Sequence, residues 1–303
     1  MNSRGPQCGI RLLRGTALLR GSLFEGAIRA MLRSLGSFFA CDGTSPGAIV
    51  EGIGYTKHIA LMLPPNGHSG RDVTDATRPW LDSMIDDPYV EFRRAMVDAQ
   101  IRRRGIADER VLAAMENVPR HEFVPPQYKS KAYQDEPLPI GGGQTISQPY
   151  IAAAMTAALR LGGRETVLEI GTGCGYQAAV LSLLAQKVFT VEWRAELARG
   201  AEENLQRLGF RNVLVRCGDG SLGLAEFAPY GAILVAAAAP ALPAPLLEQL
   251  DEGGRMIAPV GREEHQHLLL VTKTGSTWST EKRDSCRFVP LLGQHGWKPW
   301  ELL

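Results

Sequence analysis

The 303-residue sequence predicts an α/β protein with a doubly wound, Rossmann-like and mostly parallel sheet, ending in an antiparallel hairpin. Three observations carry that expectation. Residues 166–193 run from an apolar strand into a glycine loop and helix, then into a second apolar strand that ends on Glu192. Strand-like and helix-like stretches then alternate as far as residue 261, the pattern that builds parallel units. A Gly218-Asp219-Gly220 turn closes the third strand, so acids and glycines recur at strand carboxyl ends, where open sheets bind ligands.

Residues 1–88 hold scattered Gly and Pro without sustained periodicity and are expected to be a poorly structured N-terminal extension. Its first forty residues carry six arginines (Arg4, Arg11, Arg14, Arg20, Arg29, Arg33) against the single acid Glu25. That balance is shared with organelle-targeting and membrane-surface segments, but we read the stretch as sequence upstream of a functional start near Met84 or Met96.

The folded domain is expected over 89–303, opening with a helical cap at 89–143. A helix runs from Pro88 to about Arg104 and stops at Gly105, and Asp108 caps a second helix that ends before Pro119. The Pro- and Gly-rich stretch 124–143 then crosses to TISQP at 145–149, where Pro149 pushes Gln148 toward an extended backbone. A helix starts near Tyr150, which places Ser147 beside its entrance. Strands follow at 167–171, 188–192, 213–219, 232–239 and 255–261, with helices at 175–185, 194–208 and 243–250 between them. The stretch 267–274 pairs with the C-terminal segment.

Gly171, Gly173 and Gly175 stand at alternate positions where the first of these strands leaves the sheet, so the backbone can turn sharply and approach a ligand that a Cβ would repel. The helix that begins there offers free N–H groups, and Glu192 can accept both hydroxyls of a ribose. A dinucleotide fingerprint would need glycine where Tyr176 stands, which disfavours a pyrophosphate. Glu169-x-Gly171-x-Gly173-x-Gly175, then Glu192, then Gly218-Asp219-Gly220, resembles the class I S-adenosylmethionine-dependent methyltransferases. A mere tight turn would leave Glu192 and Asp219 without a role.

Further segments narrow the resemblance. VLAAMENVPRHEFVP at 111–125, LPIGGGQTISQPYIAAA at 138–154, LLEQLDEGGRMIAPVG at 246–261 and RFVPL at 287–291 resemble the protein-L-isoaspartate O-methyltransferase family, over about 92–296. The resemblance implies an enzyme of protein repair that moves a methyl group from S-adenosyl-L-methionine to the α-carboxylate of L-isoaspartyl residues in damaged proteins and peptides. Such a carboxylate ionises near pH ~3.5, so it needs no general base, and in-line positioning can account for up to roughly 7–11 kcal/mol of the barrier.

By the same resemblance, Ser147 is the principal donor to the carboxylate, Thr145 assists, and Gln148 and the backbone around Val289 contact the substrate chain. A plain helix-capping hydroxyl is the alternative for Ser147. Glu169, Gly171, Thr172, Gly173 and Gly175 fall to the methionine end of the cofactor, Glu192 to the ribose, and Asp219, followed by Gly220, to the adenine amino group. Leu222 could flank the ring, though core is the plainer reading. Gly231, Ala236 and Ala241 depart from the family's usual Asp, Thr and acid, and polar contacts are expected to be lost there.

A formal net charge of +1 gives no sign of a nucleic-acid partner, and no run approaches the roughly 18 apolar residues of a membrane span. Cys8, Cys41, Cys174, Cys217 and Cys286 are odd in number and lack a C-x-x-C pair, which argues against a disulfide framework and a zinc site. We expect a cytoplasmic monomer without a metal. Cys174 reads as a small loop filler because no base adjoins it, and His265 and His267, with Glu263 and Glu264, read as a polar turn leading into a strand in preference to a metal pair, since no third and fourth ligand has suitable spacing. Two rival functions remain, another carboxyl methyltransferase and a non-catalytic cofactor-binding interaction protein.

Overall fold

A computed structural model describes residues 87–262 and 265–298. The extension expected at 1–88 lies outside the described residues but for its last two positions, as do Glu263 and Glu264 of the polar turn.

The cap forms much as its punctuation predicts. Helix α1 (Val90–Ala95) continues through a π turn (Met96–Ile101) and a 3-10 turn (Arg102–Arg104), and stops where Gly105 takes a φ of 96°. Asp108 caps α2 (Glu109–Asn117) by accepting from the amides of Arg110 and Val111. The helix buries Val111, Leu112, Ala114 and Met115 because their helical spacing puts them on one face.

The crossing stretch 124–143 is more ordered than its Pro and Gly content suggests. It contains a 3-10 turn (Pro126–Lys131) and enters a short antiparallel hairpin of β1 (Leu138–Gly141) and β2 (Gln144–Ile146). The hairpin leads into α3 (Pro149–Ala158), with Gln148 extended at φ −51° and ψ 137° before the proline.

Among the described residues one seven-stranded sheet follows, in the order β5-β4-β3-β6-β7-β8-β9. Its strands are β3 (Thr166–Ile170), β4 (Lys187–Glu192), β5 (Val213–Cys217), β6 (Tyr230–Val235), β7 (Leu250–Arg262), β8 (His265–Thr274) and β9 (Thr277–Cys286). Pairing is parallel from β5 to β7 and antiparallel from β7 to β9. Helices α4 (Tyr176–Ser182), α5 (Ala195–Arg207) and α6 (Ala244–Glu248) fill the crossovers.

Both faces of the inner strands are covered. Val167, Val188 and Leu234 join one apolar cluster with the cap and α4, while their neighbours Leu168, Phe189 and Ile233 join a second cluster. Continuous apolar runs are what such two-sided burial requires. The chain moves outward from β3 through β4 to β5, then returns to β6 on the other side of β3. This reversal leaves a crevice at the carboxyl ends of β3 and β6.

The strand expected over 232–239 ends earlier, at Val235. Beyond the sheet edge the alanines bond elsewhere: Ala236 N–H to Ile170 O at 2.7 Å, and Ala238 N–H to Val289 O at 2.8 Å. Their small side chains let the segment around Val289 pack close, which strand periodicity alone could not disclose.

Candidate active site

The crevice is a cavity. The loop after β3 lines one side, Glu192 and Trp193 the end of β4, Gln144 to Ser147 the hairpin side, and Val289 to Leu292 the C-terminal side. Thr145, Ser147, Gly171, Thr172, Gly173, Glu192, Gly220 and Val289 are all brought to it.

The glycines serve different ends. Gly173 has φ 54°, and a Cβ there would stand 3.1 Å from Ile140 Cδ1 on the hairpin. Gly175, at φ 91°, does not line the cavity; a Cβ would meet Leu205 at 3.2 Å and Ala201 at 3.4 Å. Its role is to let α5 pack against the entrance of α4.

Glu192 is 6% exposed, and its oxygens accept the amides of Gly173 at 2.9 Å and Arg194 at 3.0 Å. A carboxylate offers about four acceptor sites, which leaves capacity for hydroxyls of a ligand. Glu169 is placed differently. It is fully buried behind the loop, and its Oε2 accepts from Thr190 Oγ1 at 2.5 Å, which lies 2.6 Å from Thr172 Oγ1. Glu169 therefore reaches the cavity wall only through two threonines. Burial, reinforced by the charge of Glu192 and opposed by Thr190, pushes its carboxyl up to about 8, so it is largely protonated at neutral pH.

Asp219 also turns away from the cavity lining. Its Oδ1 accepts from Ser221 N at 2.9 Å and Ser221 Oγ at 2.6 Å, and its Oδ2 accepts the Gln294 amide at 2.7 Å. The side chain thus ties the turn after β5 to the C-terminal loop. Leu222 is 41% exposed, neither core nor cavity wall.

On the substrate side, the N-cap of α3 is Gln148 and makes no side-chain cap bond, so capping does not account for Ser147. Among the described residues the Ser147 hydroxyl has no hydrogen-bond partner, while its carbonyl accepts from Arg120 Nη2 at 2.7 Å. The Gln148 amide lies off the cavity and donates to Asp135 O and Oδ2 at 2.9 and 2.8 Å. Of the departures, Gly231 lies at the far end of β6, where the stem of Glu165 occupies the space at 2.9 Å from a would-be Cβ. That position does not touch the site, whereas Ala236 lines it.

Burial pushes the Cys174 thiol up to about 11, too high for a nucleophile at neutral pH. His267 Nδ1 lies 3.3 Å from Ser285 Oγ, and among the described residues no cluster of three His, Cys, Asp or Glu could hold a metal ion. Sequence reasoning missed Trp193, Ile140 and Arg120. Trp193 follows the acid directly and could have been found from that position; the other two act across long sequence separations.

A doubly wound sheet with a glycine loop at its switch point and a ribose-compatible acid at the next strand end defines the architecture of a class I methyltransferase. Residues 91–296 match the profile of protein-L-isoaspartate(D-aspartate) O-methyltransferase, and the chain belongs to that family. The protein-L-isoaspartate O-methyltransferase of Koribacter versatilis is 54% identical over 207 residues, 68% of this chain and 93% of that one. That of Roseiflexus castenholzii is 55% identical over 209 residues, 69% of this chain and 95% of the relative. A solved protein-L-isoaspartate O-methyltransferase superposes with a TM-score of 0.61 at 32% identity, covering 67% of this chain and 66% of that one. The Plasmodium falciparum homologue, solved in complex with S-adenosyl-L-homocysteine, shares the fold at 24% identity and TM-score 0.57, over 66% of this chain and 98% of that one.

Proposed function

We propose that the cavity holds S-adenosyl-L-methionine and an L-isoaspartyl residue side by side, with the Ser147 hydroxyl orienting the carboxylate. The protein is an S-adenosylmethionine-dependent protein-L-isoaspartate O-methyltransferase, which methylates the α-carboxylate of isoaspartyl residues in damaged proteins. The carrying observation for the site is that Ser147, an unpartnered donor, lines the same cavity as Gly171, Gly173 and Glu192. Those residues fit the cofactor: the loop places no Cβ at Gly171 or Gly173, and Glu192 keeps acceptor capacity for ribose hydroxyls.

When bound, the cofactor supplies an electrophilic methyl group on a sulfonium. The chain's own residues bind and align. Ser147, with Thr145 beside it, donates to a carboxylate that is already ionised, and no residue need move a proton. A largely protonated Glu169 avoids adding a second buried negative charge behind the loop. Asp219 acts on the adenine side indirectly, by holding the C-terminal loop, and Gln148 shapes the TISQP segment through Asp135.

We also infer a cytoplasmic monomer that uses neither nucleic acid nor membrane. Cys174, Cys217 and Cys286 are free, as in a reducing compartment, and among the described residues no helix is long and apolar enough to cross a membrane. The folded domain is taken as 89–303 and the preceding residues as an extension. Methylation of an isoaspartyl peptide followed by tandem mass spectrometry tests the chemistry. The ester is expected on the isoaspartyl α-carboxylate, and an ester on any other carboxyl group would overturn the reading.

A further inference from the structure

Two arginines of the cap are fully buried, and they differ in one respect. Arg93 pairs with Asp87 at 2.7 Å. Arg120, on the short turn Arg120–Glu122, has no carboxylate within ion-pair distance among the described residues, and its neighbours Tyr176, Cys174 and Tyr133 are neutral at pH 7. Its Nε donates to Ala132 O at 2.7 Å and its Nη2 to Ser147 O at 2.7 Å, while Nη1 is buried without a partner. The guanidinium carbon stands 4.9 Å from the centroid of the Tyr176 ring.

A buried charge without a counter-ion leaves its desolvation cost without the offset of an ion pair, so hydrogen bonds to two carbonyls alone do not explain why the group is charged. Burial draws the pKa of this guanidinium down, yet arginine keeps its proton in proteins. The position explains the charge. Ser147, Cys174 and Tyr176 all line the cavity, and the cation bonds the carbonyl of the first and stands over the ring of the third, one residue layer from the lining.

We propose that Arg120 is a positioning and charge-selecting residue: it holds the Ser147 peptide through its carbonyl, and its uncompensated charge favours a carboxylate at the cavity face of that peptide. Placement of the carboxylate rests on the Ser147 reading above. The effect of the charge can be measured apart from it.

The experiment uses the full chain with Arg120→Met, Arg120→Lys and, alongside, Ser147→Ala. Binding of an isoaspartyl peptide and of its neutral α-carboxamide analogue is measured in the presence of S-adenosylhomocysteine, which prevents turnover. Arg120→Met should weaken the carboxylate peptide at least about tenfold more than the carboxamide, a selectivity of about 1.4 kcal/mol, beyond whatever both lose through the Ser147 peptide. Arg120→Met should lower the melting temperature, because Ala132 O and Ser147 O lose their donor, and Arg120→Lys should recover part of the preference for the carboxylate. If Arg120→Met fails to fold, Arg120→Gln, uncharged but still a donor, carries the same expectation. Equal losses for both peptides, or none for either, would overturn the proposal by making Arg120 a scaffold alone. A normal Ser147→Ala enzyme would instead sink the Ser147 reading and leave the charge comparison standing.

Discussion

Glu192 Oε2 accepts the amide of Gly173 at 2.9 Å, so the acid that ends β4 is tied to the glycine loop that leaves β3. The residue assigned to the ribose therefore also sets the backbone that borders the rest of the cofactor. Glu192→Ala should weaken cofactor binding at least about tenfold, as loss of charged hydrogen bonds of roughly 1.5–3 kcal/mol implies. Titration calorimetry measures this, and an unchanged affinity would move the ribose site elsewhere.

Ser147→Ala should lower turnover at least about tenfold with cofactor affinity within about twofold, because the hydroxyl belongs to the hairpin side of the shared cavity and is assigned to the substrate carboxylate. A matching loss of cofactor binding, or a wild-type rate, would contradict the assignment. Steady-state kinetics paired with direct binding separates the cases.

Glu169 gives a pH prediction. Its carboxyl is raised from 4.5 to about 8 in the fold, so between those values the native state holds a proton that the unfolded chain has released. Stability contributed by this group is present below the unfolded pKa and lost as pH rises toward about 8. Glu169→Gln, which mimics the protonated form, should flatten that slope by at least about 1 kcal/mol between pH 5 and 8. Urea unfolding of both proteins across that range would show parallel curves if Glu169 were ionised throughout.

What could be read from the sequence divides by distance along the chain. β3, β4 and β6 were legible because burial on both faces leaves mostly apolar runs, interrupted by Glu169 inside β3 and Thr190 inside β4, and Pro149 announced both the extended Gln148 and α3. The hairpin β1–β2 was missed although Gly141, Gly142 and Gly143 all take positive φ, because strands of four and three residues show no alternation. Glu169 looked like a ligand group because its motif is local. Its carboxyl is bonded instead by Thr190, which lies opposite it only once β3 and β4 pair. Asp219 meets Gln294 and Arg120 meets Ser147 only in the tertiary structure, so no nearby pattern marks either.

The Asp219 contact predicts a coupled C-terminal loop. A Cβ on Gly293, at φ 142°, would fall 2.0 Å from Asp219 Oδ1, so Gly293→Ala cannot keep the contact. Both Gly293→Ala and Asp219→Ala should speed proteolysis within 292–298 and weaken cofactor binding several-fold. Wild-type protease resistance in both variants would show that the loop does not depend on this tie.

The motifs of the site all lie beyond residue 90, and a chain beginning at Met84 keeps Asp87 for its pair with Arg93. Such a chain should fold and methylate at a rate within about twofold of the full protein. A soluble but inactive product would show that the leading residues contribute to the site.

The central claim is that the cavity selects a carboxylate displaced by one methylene from its ordinary place in the backbone. Its most direct test is the rate of labelled methyl transfer to an isoaspartyl peptide and to the aspartyl peptide of the same sequence. The account predicts rapid methylation of the first and little of the second; equal rates on both would contradict it.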